Sequence, residues 1–176
     1  MRVEIIYNVD KVKSELDFLK NNLSFFENNK MFYYFPFKKL EKELISKQIK
    51  LDEKKFEIDK RVKLITKKWE RVETAFFGYL KKIDKQNEFF NFENHYKCFL
   101  SFYGCYGYFR FPGQVYVNIG ADLDFVIETI AHELIHLLVY EKVENKSYEE
   151  IEVIVDKIMI DSELKKLFPR YKIQEI

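Results

Sequence analysis

Phe125-Val-Ile-Glu-Thr-Ile-Ala-His-Glu-Leu-Ile-His-Leu-Leu-Val-Tyr140 is the stretch on which the reading of this 176-residue chain turns. It is apolar nearly all round, which predicts a buried central helix rather than a surface one. Within it, His132-Glu133-Leu134-Ile135-His136 forms an HExxH motif. Residues four apart lie on one helical face, so both imidazoles can reach a single ion, with Glu133 at its flank. Burying two His and a Glu in apolar surroundings is costly unless they find partners. A few protein ligands that leave a position for water, with a carboxylate to take its proton, are what a catalytic zinc ion requires. The expectation is a metal-dependent hydrolase. Its bland alternative is a pair of core histidines satisfied by backbone carbonyls, with Glu133 reaching solvent.

A third ligand is expected downstream. Histidine four or six residues beyond His136 would suit other metal sites, but those places hold Tyr140 and Lys142, which leaves a carboxylate. The run Ser147 to Ile160 predicts a second helix, opened by Ser147 and Glu150 at capping-box spacing, with Glu149 favoured in the first turn by the helix dipole. Glu152 and Asp156 are different. They stand four apart in the otherwise apolar run Ile151 to Ile160, on the face of Val155 and Met159, so both are expected to point inward. Two inward acids need a cation or a proton donor.

HExxH on one helix, followed on the next by Glu-x-x-x-Asp, resembles the gluzincin metallopeptidases, and the small size resembles their minimal soluble members, the minigluzincins. The resemblance covers roughly residues 96 to 160. It implies Zn2+ held by His132, His136 and Glu152, Glu133 as general base and acid, and Asp156 as the acceptor that orients a ligand imidazole, His132 first. Glu149 and Asp156 stay open as alternatives for the third ligand, because the interval from His136 to Glu152 is shorter than in the large gluzincins. The implied activity is hydrolysis of a peptide or protein substrate. In zincins a sheet-edge strand over the metal holds the substrate main chain by strand addition. Here that strand is expected at Gln114 to Ile119, with Val115, Val117 and Ile119 facing the core and Gln114, Tyr116 and Asn118 on a polar, substrate-binding face. Tyr140, Tyr148 and Tyr171 are each candidates to donate to a developing oxyanion.

Outward from this region, Tyr96 to Tyr103 and Tyr106 to Phe111 are rich in aromatic residues and punctuated by Gly104, Gly107 and Pro112-Gly113, which are strand and hairpin signals. Val12, Leu16, Leu19, Leu23 and Phe26 mark one amphipathic helix, and Ile58 through Trp69 to Ile83 another. Val3 to Tyr7 and Met31 to Phe37 could be short strands, and Val153 to Phe168 reads as helix. The fold class expected is α+β: a zincin-like core with a small, partly antiparallel sheet over residues 93–176, preceded by a mainly helical scaffold over residues 1–92, all in a single domain. No linker or internal repeat divides it.

Net charge is +1 but unevenly placed: residues 38–85 carry a net +7 and residues 121–163 a net −9. Without a nucleic-acid module beside it, the basic segment is read as a solvated helix face complemented by the acidic half, so nucleic acid is not an expected partner. No signal-peptide or bilayer-spanning run is present, which gives the expectation of a cytoplasmic protein with Cys98 and Cys105 as free thiols. His95 reads as a surface or strand-end residue. Two further possibilities are a regulatory protease with one partner and a non-catalytic zinc-binding protein. The tail Tyr171 to Ile176, through Glu175 or the terminal carboxylate, is expected to be able to occupy an open cleft and make the enzyme latent.

Overall fold

The computed structural model describes residues 1–28, 32–35, 42–84, 89–160 and 162–173. Four strands, β1 (Arg2–Tyr7), β2 (His95–Ser101), β3 (Gly107–Arg110) and β4 (Gln114–Asn118), form one sheet in the order β1-β2-β4-β3. β1 and β4 run parallel to β2, with Val3 opposite Tyr96 and Val115 opposite Cys98, and β3 turns back antiparallel to β4 with Tyr108 opposite Tyr116. The fold is therefore mixed α+β, as expected. One expectation is corrected: β4 is not the sheet edge, because β2 and β3 flank it. The edge is β3.

The described residues form six helices, α1 (Val9–Asn28), α2 (Lys42–Lys55), α3 (Ile58–Ile83), α4 (Leu123–Val143), α5 (Tyr148–Ile160) and α6 (Ser162–Leu167), of which α1, α3 and α4 pack on the sheet. α4 starts where the Asp122 side chain accepts hydrogen bonds from the Asp124 and Phe125 amides, satisfying groups that the first helical turn leaves open. From Val126 to Val139 every residue of it is buried, which the apolar sequence on all sides requires. α4 packs on β3 and β4, and α3 packs on β1 beside it. The stripe of α3 predicted from spacing is the buried one: Ile65, Trp69, Phe76 and Leu80 are within the core, and Phe77 stacks on Tyr96 of β2 at 5.7 Å. The basic α3 also meets the acidic half directly, through Lys68 with Asp124.

The opposite sheet face is covered by α1, and this changes the reading of β4. Val115 and Val117 are buried towards α4, but Tyr116 and Asn118 on the other face are buried as well. Tyr116 lies between Phe99 and Tyr108, while Phe18 of α1 stacks on Tyr108 at 6.0 Å. Of the strand expected at Met31 to Phe37, Phe32 to Phe35 lie within the described residues and make one antiparallel bridge, Tyr34 with Gly104. Gly104 has φ +98°, a conformation that costs glycine little and other residues more. His95 opens β2, exposed, and its Nε2 lies 3.1 Å from Glu4. Both cysteines are free. Among the described residues no helix is long and apolar enough to cross a membrane.

Candidate metal centre

The buried helix α4 and the inward face of α5 bring three ligand atoms to one point. His132 and His136, one turn apart on α4, set their Nε2 atoms 2.9 Å from each other. Glu152 enters from α5 with Oε2 3.3 Å from the His132 Nε2 and Oε1 3.2 Å from the His136 Nε2. All three ligand atoms lie within 4.8 Å of one another, and the cluster could bind a metal ion. Glu152 is 2 % exposed, yet its Oε2 is a buried oxygen without a hydrogen-bond partner. Orphaned buried acceptors are rare in folded proteins, and a cation would satisfy this one. The spacing on each helix explains the convergence: i and i+4 place both imidazoles on one side of α4, and Glu152 shares the inward face of α5 with Val155 and Met159.

The charges here are strongly coupled. Burial alone would raise the Glu152 carboxyl, but the two imidazoles beside it outweigh burial and hold it down at about 2. Burial lowers His132, while Glu152, Glu133 and Asp156 together turn its net shift upward. Glu133 moves up, chiefly through burial, against the opposing pull of His132 and His136. Of the alternatives for the third ligand, Glu149 is exposed on the first turn of α5, and Asp156 is not among the converging donors. Behind His132, its Nδ1 lies 2.7 Å from the Tyr171 hydroxyl, and that hydroxyl donates to Asp156 Oδ1. Asp156 was expected to accept directly from a ligand imidazole; the hydrogen bonds here run from His132 to Asp156 through the Tyr171 hydroxyl, which the sequence did not point to.

The site's open flank belongs to β3, not β4. A Cβ on Gly107 would stand 2.5 Å from Thr129 Cγ2 and 2.8 Å from Glu133 Oε1, so only glycine lets the edge strand approach α4 this closely. Two residues on, Phe109 stacks on the His136 ring at 5.4 Å, and Tyr140 and Phe111 extend this aromatic wall. Residues 107 and 109 also expose their backbones: the Asn118 amide donates to the Tyr106 carbonyl, so alternation along an antiparallel pair turns the N–H and C=O of Gly107 and Phe109 away from β4. Cys105 Sγ donates to the Gly107 carbonyl.

The three residues expected to bind substrate are occupied otherwise. Asn118 braces a loop, donating to the Gly104 carbonyl at 3.0 Å and accepting from the Gly120 amide at 2.8 Å, and Gln114 accepts from the Tyr116 hydroxyl. Neither can serve an edge, since β4 has none. Of the three tyrosines, Tyr140 joins the aromatic wall and Tyr171 engages the rear of His132. Tyr148 remains: its side chain is 56 % exposed, while burial around the hydroxyl and the adjacent Glu152 charge raise its pKa. Glu175, the expected blocking residue, lies outside the described residues. Sequence reasoning treated Gly107 as turn punctuation, although a glycine within a strand pattern also signals a close backbone approach. Comparison of the chain with protein-family models, with curated proteins and with solved structures finds no match.

Proposed function

We propose that this chain is a zinc-dependent metallopeptidase of the gluzincin type, with Zn2+ as the ion held by His132, His136 and Glu152. The observation that carries the reading is the convergence of two imidazoles from one buried helix and a carboxylate from the next, with the buried Glu133 beside them. Two His and one Glu form a donor set of catalytic zinc sites, which keep a position for water, whereas structural sites close with four protein ligands. When bound, zinc would lower the pKa of a water molecule and polarise a carbonyl. Glu133 would accept a proton from the attacking water and return it to the leaving amine. Its carboxyl is shifted upward by burial, the direction that favours a group which must release a proton as well as accept one. The outward N–H and C=O of Phe109 give an extended peptide main chain something to pair with, which favours a peptide over other hydrolysable substrates. Tyr148 is the candidate to donate to the carbonyl oxygen as negative charge develops. The two free cysteines agree with a reducing, cytoplasmic setting.

The test is zinc content together with turnover. Purified protein saturated with zinc and desalted is expected to hold one ion per chain and to cleave an unstructured protein such as casein, and Glu133→Gln is expected to hold the ion and not cleave. Absence of bound zinc in the wild type would overturn the metal assignment. Bound zinc with no cleavage beyond the Glu133→Gln background would leave a zinc-binding protein that is not a peptidase.

A further inference from the structure

We infer that Tyr171 is a positioning residue of the metal centre: its hydroxyl accepts from His132 Nδ1–H and donates to Asp156, so that the His132 Nε2 lone pair is presented to the ion. The inference rests on reading the cluster as a metal site. Its direction follows from the donor inventory. The Tyr171 hydroxyl has one proton and donates it to Asp156 Oδ1, so its oxygen is left to accept at 2.7 Å from His132 Nδ1. A neutral imidazole that donates from Nδ1 has a bare Nε2, which is the ligating form. The Nε2 is the atom that faces His136 and Glu152.

This arrangement brings a distant piece of chain into the site. Tyr171 follows α6 and stands 39 residues from His132. The residues just before it are anchored: Phe168 is buried against Phe76 of α3, and Arg170 pairs with Asp124 of α4 at 2.9 Å. The segment from Phe168 to Tyr171 thus docks on the two core helices and delivers one hydroxyl to the rear of a ligand. Because linkage is reciprocal, an ion that favours this imidazole orientation also favours the docked segment.

Four proteins decide it: wild type, Tyr171→Phe, Asp156→Ala and the double variant. Each is titrated with zinc against a competing chelator, and each is loaded with cobalt(II) for its visible spectrum. Phenylalanine keeps the ring and its packing, so the metal-free Tyr171→Phe protein should melt close to the wild type. We expect it to bind zinc ~10–100-fold more weakly, the scale on which groups behind a ligand act, and to shift the cobalt bands. The double variant should be no weaker than the worse single one, because the two residues act through one chain of hydrogen bonds. Unchanged zinc affinity and an unchanged cobalt spectrum in Tyr171→Phe, with the wild type binding zinc, would overturn the inference and leave the metal site standing, as would fully additive losses in the double variant. A wild type that binds no zinc would remove the metal reading itself, and this inference with it.

Discussion

Glu133 and Glu15 are both buried carboxylates with raised pKa values, in different surroundings. Glu133 lies beside the His132, His136 and Glu152 cluster, where the proposed function makes it the general base. Glu133→Gln keeps the shape and removes the base, so the zinc-loaded variant is expected to lose at least ~100-fold in peptide turnover with its metal content intact. Equal turnover would take Glu133 out of the mechanism. Glu15 of α1 lies on the α1-covered sheet face, where it accepts from Tyr108 and lies 3.6 Å from Arg110. Burial raises its pKa and outweighs the lowering by Tyr108 and Arg110, and its Oε1 has no hydrogen-bond partner. The sign follows: a folded-state pKa above the unfolded one gives stability that is present in acid and lost as pH rises through the folded value. Glu15→Gln should therefore melt above the wild type near pH 7, by about 2–4 °C for each kcal/mol gained, with the advantage shrinking towards pH 4. A constant or reversed difference would show that Arg110 compensates the charge.

At the scale of elements, β3 is the strand to which the proposed function assigns the substrate, and it was the least legible. The helices that carry the ligands could be read directly: α4 because its apolar run leaves HExxH inward whichever way it faces, and α5 because Glu152 and Asp156 interrupt an apolar stripe at helical spacing. Strand order could not be read. Alternation along Gln114 to Asn118 announces two faces, but nothing local tells that α1 covers the second one or that the short Gly107–Arg110 strand lies outside it. Sheet order comes from contacts distant in sequence, as does the arrival of Tyr171 behind His132. The prediction for β3 is Gly107→Ala. The added methyl meets Thr129 Cγ2 and Glu133, so either the strand or the carboxylate must shift. Cleavage should fall at least ~10-fold through lost positioning while one zinc per chain remains. Turnover equal to the wild type would show that β3 does not set the position of Glu133.

For the whole molecule, the site is a junction between parts distant in sequence. His132 and His136 belong to the central helix, Glu152 to α5, and the rear of His132 to the segment after α6. Three acids, Glu133, Glu152 and Asp156, are buried within this junction, and the two imidazoles offset their charge only in part. An ion bound there neutralises the surplus and ties α4 to α5, and none of this exists in the unfolded chain. Binding to the folded state alone adds RT ln(1 + [L]/Kd), about 2.7 kcal/mol at a free zinc concentration of 100 Kd. At about 2–4 °C per kcal/mol for a domain of this size, zinc-loaded protein should melt roughly 5–10 °C above protein stripped with a chelator. Two controls give the shift its meaning. Glu152→Ala should abolish most of it by removing one ligand, whereas Glu149→Ala should leave it whole, because Glu149 is exposed on the first turn of α5. A melting temperature indifferent to zinc in the wild type would show that the buried cluster is held together without an ion. A shift that survives Glu152→Ala but not Glu149→Ala would move the third ligand one turn towards the helix start and would require α5 to turn on its axis when the ion binds.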